Sequence, residues 1–186
     1  MSADPFHLNR PVHLARRDVF YEKAVVLIKK LPAQKSLAEQ SKTAEQALYL
    51  LREARRHAEA ANLSEKTSTQ SRLFVNFMDI AVDNTLSITR MIRRQINANA
   101  PDNPYDGFIG TASTGVKMSG NYRRCGVLIL KGLLNILQQS EKPFQALRQT
   151  SLAKMSVVDK ARYEKARNHF EALADGEAEK AAEVPN

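Results

Sequence analysis

Residues 73–94 read LFVNFMDIAVDNTLSITRMIRR, and the order of their apolar positions decides the fold. Phe74, Phe77, Met78, Ala81, Ile88 and Ile92 fall on one side of a 3.6-residue period, with Leu73, Ile80 and Met91 widening the stripe; a strand would alternate every second residue instead. Nothing interrupts the pattern before Asn97 to Pro101. Upstream, Thr67 and Gln70 have the spacing of a capping box and Ser64 is a second candidate cap, so the helix starts between them. A helix of about thirty residues spans about 45 Å, a length that suits an elongated bundle or an oligomer.

Working outward toward the N-terminus, Leu37, Ala44, Ala47, Leu48, Leu51, Ala54, Ala58 and Ala61 repeat at close to 3.5 residues. They predict a helix that starts at Pro32, a residue tolerated in a first turn, and ends near Asn62. Before it, Phe20, Ala24, Leu27, Ile28 and Leu31 predict a helix capped by Asp18. Residues 1–17 hold Pro5 and Pro11, show no sustained period and read as an extended arm.

Working toward the C-terminus, Pro101 to Gly120 is the longest irregular stretch, with two prolines and four glycines among small polar residues. Tyr122 to Gln139 is apolar on nearly every side, the mark of a buried central helix; a short strand over Val127 to Leu130 is the competing reading. A short helix follows Pro143, and a last one starts near Ser156 or Asp159, carries Tyr163, Ala166, Phe170 and Leu173, and stops before Gly176. Asp175 to Asn186 lacks the apolar content to offset ordering and reads as a disordered acidic tail. The fold class is therefore all-α. It is an elongated bundle of about five to six helices over 18–174, with an arm over 1–17, one long Gly/Pro-rich loop and a tail over 175–186.

The chain has 186 residues and a formal charge of +8. Four acids against Lys180 make the last twelve residues −3, so residues 1–174 carry +11. Such a field favours polyanions. The tail could fold back over this surface and compete with them. The single cysteine, Cys125, lies in an apolar run and fits a reducing compartment. No signal peptide and no membrane span is read, and the expected location is the cytoplasm.

Enzyme chemistry finds no support in the pattern. His7, His13, His57 and His169 are too widely spaced for a zinc site. Asp79 and Asp83 share a helix face but read as a solvated flank beside Arg72 and Arg90. The Gly-rich stretch has neither a P-loop nor a dinucleotide fingerprint. No catalytic residue, metal or cofactor is expected.

The arginines are more specific. Arg52-x-x-Arg55-Arg56 and Arg90-x-x-Arg93-Arg94 repeat one spacing, and offsets of three and four keep each trio on one side of its helix. Lys117, Arg123 and Arg124 add charge beside Gly120, where backbone N–H groups at a helix start could hold an anion. Tyr105 and Tyr122 could stack on unpaired bases. These eleven residues form the candidate nucleic-acid site. Competing explanations are the dipole preference for cations in last turns and ion pairs with Glu53, Glu59 or Asp83. Antiparallel neighbours would also put the two trios at opposite ends. The expected function is a basic helical accessory protein that binds nucleic acid, DNA or RNA, mainly through phosphates. The alternative is a helical interaction or assembly subunit of a larger protein or ribonucleoprotein complex, with protein partners or a homo-oligomer. No membrane partner is expected.

Overall fold

The computed structural model describes residues 10–62, 69–97 and 120–183, with side chains from residue 128 onward in the last stretch. Among the described residues there are five α-helices and no strand. They are α1 (Arg10–Lys30), α2 (Leu37–Asn62), α3 (Thr69–Asn97), α4 (Gly120–Ala153) and α5 (Val157–Glu183), with a 3-10 turn over Leu31–Ala33 between the first two. The long loop up to Ser119 and the first nine residues of the arm lie outside the described residues.

The centre of the bundle is α1. It packs against α2 and α5 along its length, meets α4 through Tyr21 and Phe144 at 4.4 Å between ring centroids, and meets α3 through Tyr21 and Phe74 at 5.4 Å. Phe20 does the same work on the other side, against Tyr49 of α2 at 6.3 Å and Phe170 of α5 at 6.1 Å. A helix enclosed on several sides has no single apolar stripe, which is why residues 10–17 lack a period although they are helical. Pro11 sits in the first turn, where its missing N–H costs nothing. Asp18 is not a cap. It is 1% exposed in mid-helix, where its carboxylate accepts hydrogen bonds from Arg17 Nε at 2.7 Å and from the Tyr163 hydroxyl. Burial and the adjacent Asp18 charge push the Tyr163 phenol up to about 12.

The expected central helix, by contrast, is one-sided. Leu130, Leu133 and Leu137 of α4 are buried, but Leu128 is 65% exposed and Lys131, Asn135 and Gln138 face solvent. The segment is helical, so the strand reading over 127–130 does not hold. Nor does a break occur at Pro143, which lies inside α4. The carbonyl that loses its donor there belongs to Gln139, an exposed residue, so water can replace the missing bond.

Helix starts follow cap chemistry. Ser36 caps α2, its Oγ accepting the Glu39 N–H at 3.0 Å, so α2 starts at Leu37 and Pro32 stays in the 3-10 turn. Ser156 caps α5 in the same way at 3.1 Å from the Asp159 N. At its other end α5 runs through Gly176 to Glu183, in place of the disordered tail that composition predicts. Ala174 and Ala178 are 0% and 2% exposed, and the acids of this segment meet α1: Glu177 bonds Arg16 at 2.6 Å and Asp175 bonds Lys23 at 3.2 Å. Burial of small residues together with ion pairs orders a segment whose composition alone would leave it unordered.

Candidate functional site

The two arginine trios meet different fates. Arg55 reaches across to Asp79 of α3 and along α2 to Glu59 at 3.1 Å, and the hydrogen bond to Asp79 holds its guanidinium charged above the ordinary range. Arg56 bonds Glu53 at 3.2 Å. Arg93 bonds Glu45, a carboxylate only 5% exposed, across the α2–α3 seam. Arg55 and Arg93 therefore tie α2 to α3, whereas Arg56 is 61% exposed and pairs within its own helix. Asp79 is accordingly a partner of arginine, and no group of three or more His, Cys, Asp or Glu side chains among the described residues is arranged to hold a metal ion.

Arg52 lies elsewhere. It lines a groove of about 560 Å³ between α2 and α5, with Leu48, Tyr49 and Lys180. Helices α2 and α3 are antiparallel, as the pairs Arg55–Asp79 and Arg93–Glu45 show. Glu45 and Arg55 are ten residues apart on α2, so the two trios sit about 15 Å apart along the seam rather than at opposite ends. They do not form one patch.

A different grouping emerges from α3 and α4. Phe74 stacks near Phe144 at 5.7 Å, and Asn84 lies beside Gly132, so these helices too are antiparallel. Continuing that register brings Arg90, Arg93 and Arg94, at the end of α3, alongside the first turns of α4, which carry positions 122, 123 and 124. Arg90 and Arg94 are exposed, as is Lys131 about three turns into α4. Position 131 shares a helix face with 124, at an offset of seven. Tyr122, Arg123 and Arg124 belong to the α4 backbone, while their side chains, together with Tyr105 and Lys117, lie outside the described residues. Lys131 escapes a reading of the sequence because it stands alone; only the register gives it neighbours.

Sequence reasoning also misses a buried polar chain. His13 of α1 and His57 of α2, 44 positions apart, bring their Nδ1 atoms to 2.8 Å. Glu53 lies 3.3 Å from His57 Nε2, and Arg16 connects Glu53, at 3.6 Å, to Glu177 of α5. Burial pushes the His57 imidazole below its ordinary value despite Glu53. Burial alone would raise the Glu53 carboxyl, but His57, Arg16 and Arg56 outweigh it and hold it low. The Glu53–His57 offset of four is legible in the sequence; the cross-helix half is not.

No helix among the described residues is long and apolar enough to cross a membrane. Comparison of the chain with protein-family models, with curated proteins and with solved structures finds no match.

Proposed function

We propose that this chain is a nucleic-acid-binding accessory protein that holds DNA or RNA by phosphate contacts at the α3/α4 end of the bundle, in a reducing, cytoplasmic setting. The observation that carries the reading is the antiparallel α3/α4 register. It joins the exposed Arg90 and Arg94 to the start of α4, where positions 123 and 124 are arginine. The dipole preference accounts for cations at the end of α3, but it opposes cations in the first turns of α4. An anion between the two helix ends relieves that conflict, and arginine forks suit phosphate oxygens. Arg52, Arg55 and Arg56 drop out of the reading, and Arg93 becomes a support for the fold.

The test is an electrophoretic shift series over salt, with single-stranded and duplex oligonucleotides of both chemistries. Affinity falls linearly on a log–log plot. Arg90→Ala with Arg94→Ala weakens binding to every oligonucleotide alike and makes the salt slope shallower by about 1 for each phosphate that is no longer neutralised. Arg90→Ala by itself, at an exposed position, stays within about 0.5 kcal/mol of wild-type stability. Arg93→Ala, which strands the buried Glu45 carboxylate, costs about 1–3 kcal/mol of stability instead. Absent binding, binding indifferent to salt, or full affinity in the Arg90/Arg94 variant overturns the reading.

A further inference from the structure

Helices α1 and α4 are fastened to each other by Tyr21, whose hydroxyl meets Ser140 Oγ at 2.6 Å, and they leave between them a groove of about 480 Å³. Its floor is apolar: Tyr21, Val25, Leu134, Leu137 and Phe144. Val26, next to Val25 on α1, is 54% exposed. Of the charged groups that line the groove, Glu22 is held by Arg167 at 2.7 Å and Arg148 at 3.5 Å, while Glu141 and Lys29 have no ion pair among the described residues.

The turn from α4 to α5 has the opposite shape. Val157 and Val158 open α5 with 85% and 61% of their surface exposed, the largest such pair in the described chain, and Leu152 and Met155 are half-buried behind them. Valine is a weak helix former and gains nothing from the fold at an exposed first turn, where Asp, Ser or Glu would serve better. Single exposed valines are ordinary, but a contiguous apolar knob marks a contact surface. Lys154 and Lys160 flank it and are exposed, with Asp159 between them.

We infer that the Val157–Val158 knob of one copy seats in the α1/α4 groove of a second copy, and the reverse, to form a two-fold dimer. The charges match in sign: Lys154 and Lys160 of the knob face Glu141 of the groove, while Asp159 is paired with Arg162 within α5 at 3.9 Å. The spacing permits reciprocity. Glu141 and Leu152 are eleven residues apart on one continuous helix, about 16 Å, so two copies laid antiparallel along α4 place each knob over the other's groove. That is a self-complementary contact, which closes rather than polymerises. None of these residues belongs to the α3/α4 basic end, so the dimer and nucleic-acid binding stand or fall separately.

Light scattering on the full chain across a concentration series tests the inference. The wild type is a dimer. Val157→Asp with Val158→Asp makes it monomeric, with unchanged circular dichroism because both positions are exposed. Glu141→Lys weakens the dimer several-fold, and adding Lys154→Glu with Lys160→Glu restores it, as paired charges across an interface should. A chain that stays monomeric at millimolar concentration, or a dimer indifferent to the Val157/Val158 variant, overturns the inference. So does a monomer that floats with anionic lipid vesicles and loses that property in the same variant, since the valines would then serve a membrane surface.

Discussion

His57 stands between a carboxylate and a second imidazole, and that position sets how the fold responds to acid. His57 Nε2 lies 3.3 Å from Glu53 and 3.4 Å from the Arg56 guanidinium, and its Nδ1 lies 2.8 Å from His13 Nδ1, so both of its ring nitrogens have a polar neighbour. The other groups that face it, Arg16 and His13, oppose a positive imidazole, and Glu177 lies one ion pair further off. Because burial lowers the folded pKa of His57 below its ordinary 6.5, the unfolded chain binds more protons. The stability tied to this group is therefore complete above pH 6.5 and is lost as pH falls below it. Glu53, also lowered in the folded state, extends the loss as pH falls past 4.5. Urea midpoints measured between pH 7.5 and pH 5 should decline, and His57→Gln should flatten the upper part of that decline; an equal slope in both proteins would remove His57 from the explanation. Little of this is legible in sequence. An offset of four predicts Glu53 beside His57, but nothing local predicts His13, because the contact depends on how α1 crosses α2. The arginine trios show the same limit: their spacing gives a shared helix side, while the carboxylates opposite, Asp79 and Glu45, decide that Arg55 and Arg93 are tied into the fold.

Elements are more legible where one side of a helix is buried. The stripe of α3 holds at Phe74, Met78, Ala81, Ile88 and Ile92, all 0% exposed, while the flanking Leu73 and Ile80 remain 41% and 44% exposed. Ser156 is legible as a cap because the chemistry is local. Breakers mislead. Pro143 and Gly176 both lie inside helices, since packing of Phe144 and Ala178 outweighs a local cost of roughly 1–3 kcal/mol. The end of α5 offers a decisive measurement. Deleting residues 175–186 removes the buried Ala178 and both hydrogen bonds that Glu177 accepts, from Arg16 at 2.6 Å and from the Tyr49 hydroxyl at 2.7 Å. It should lower stability by about 1–3 kcal/mol, read as a shift in the urea midpoint. A disordered tail would leave the midpoint where it was.

At the scale of the whole molecule, composition establishes the class and the charge but puts the centre in the wrong helix. Tyr122 to Gln139 is the most apolar run, yet apolarity summed along a segment does not say what covers it: α4 packs on α3 along one side and leaves Leu128 and Lys131 in water. α1 reads as less apolar because it carries Arg16, Arg17, Asp18 and Glu22, and those charges are enclosed because partners from other helices, Tyr163, Glu177 and Arg167 among them, are brought to them by the fold. Centrality therefore has an observable consequence. A helix packed along its length on α2 and α5, and touched by α3 and α4 at Tyr21, cannot open without undoing the core, whereas one packed mainly on α3 can fray. Native-state hydrogen exchange should show the amides of Val19 to Ala24 exchanging only with global unfolding, and those of Leu128 to Leu134 exchanging earlier through local opening. Protection in the reverse order would return the centre to α4, and with it the buried carboxylate of Asp18 would need another account.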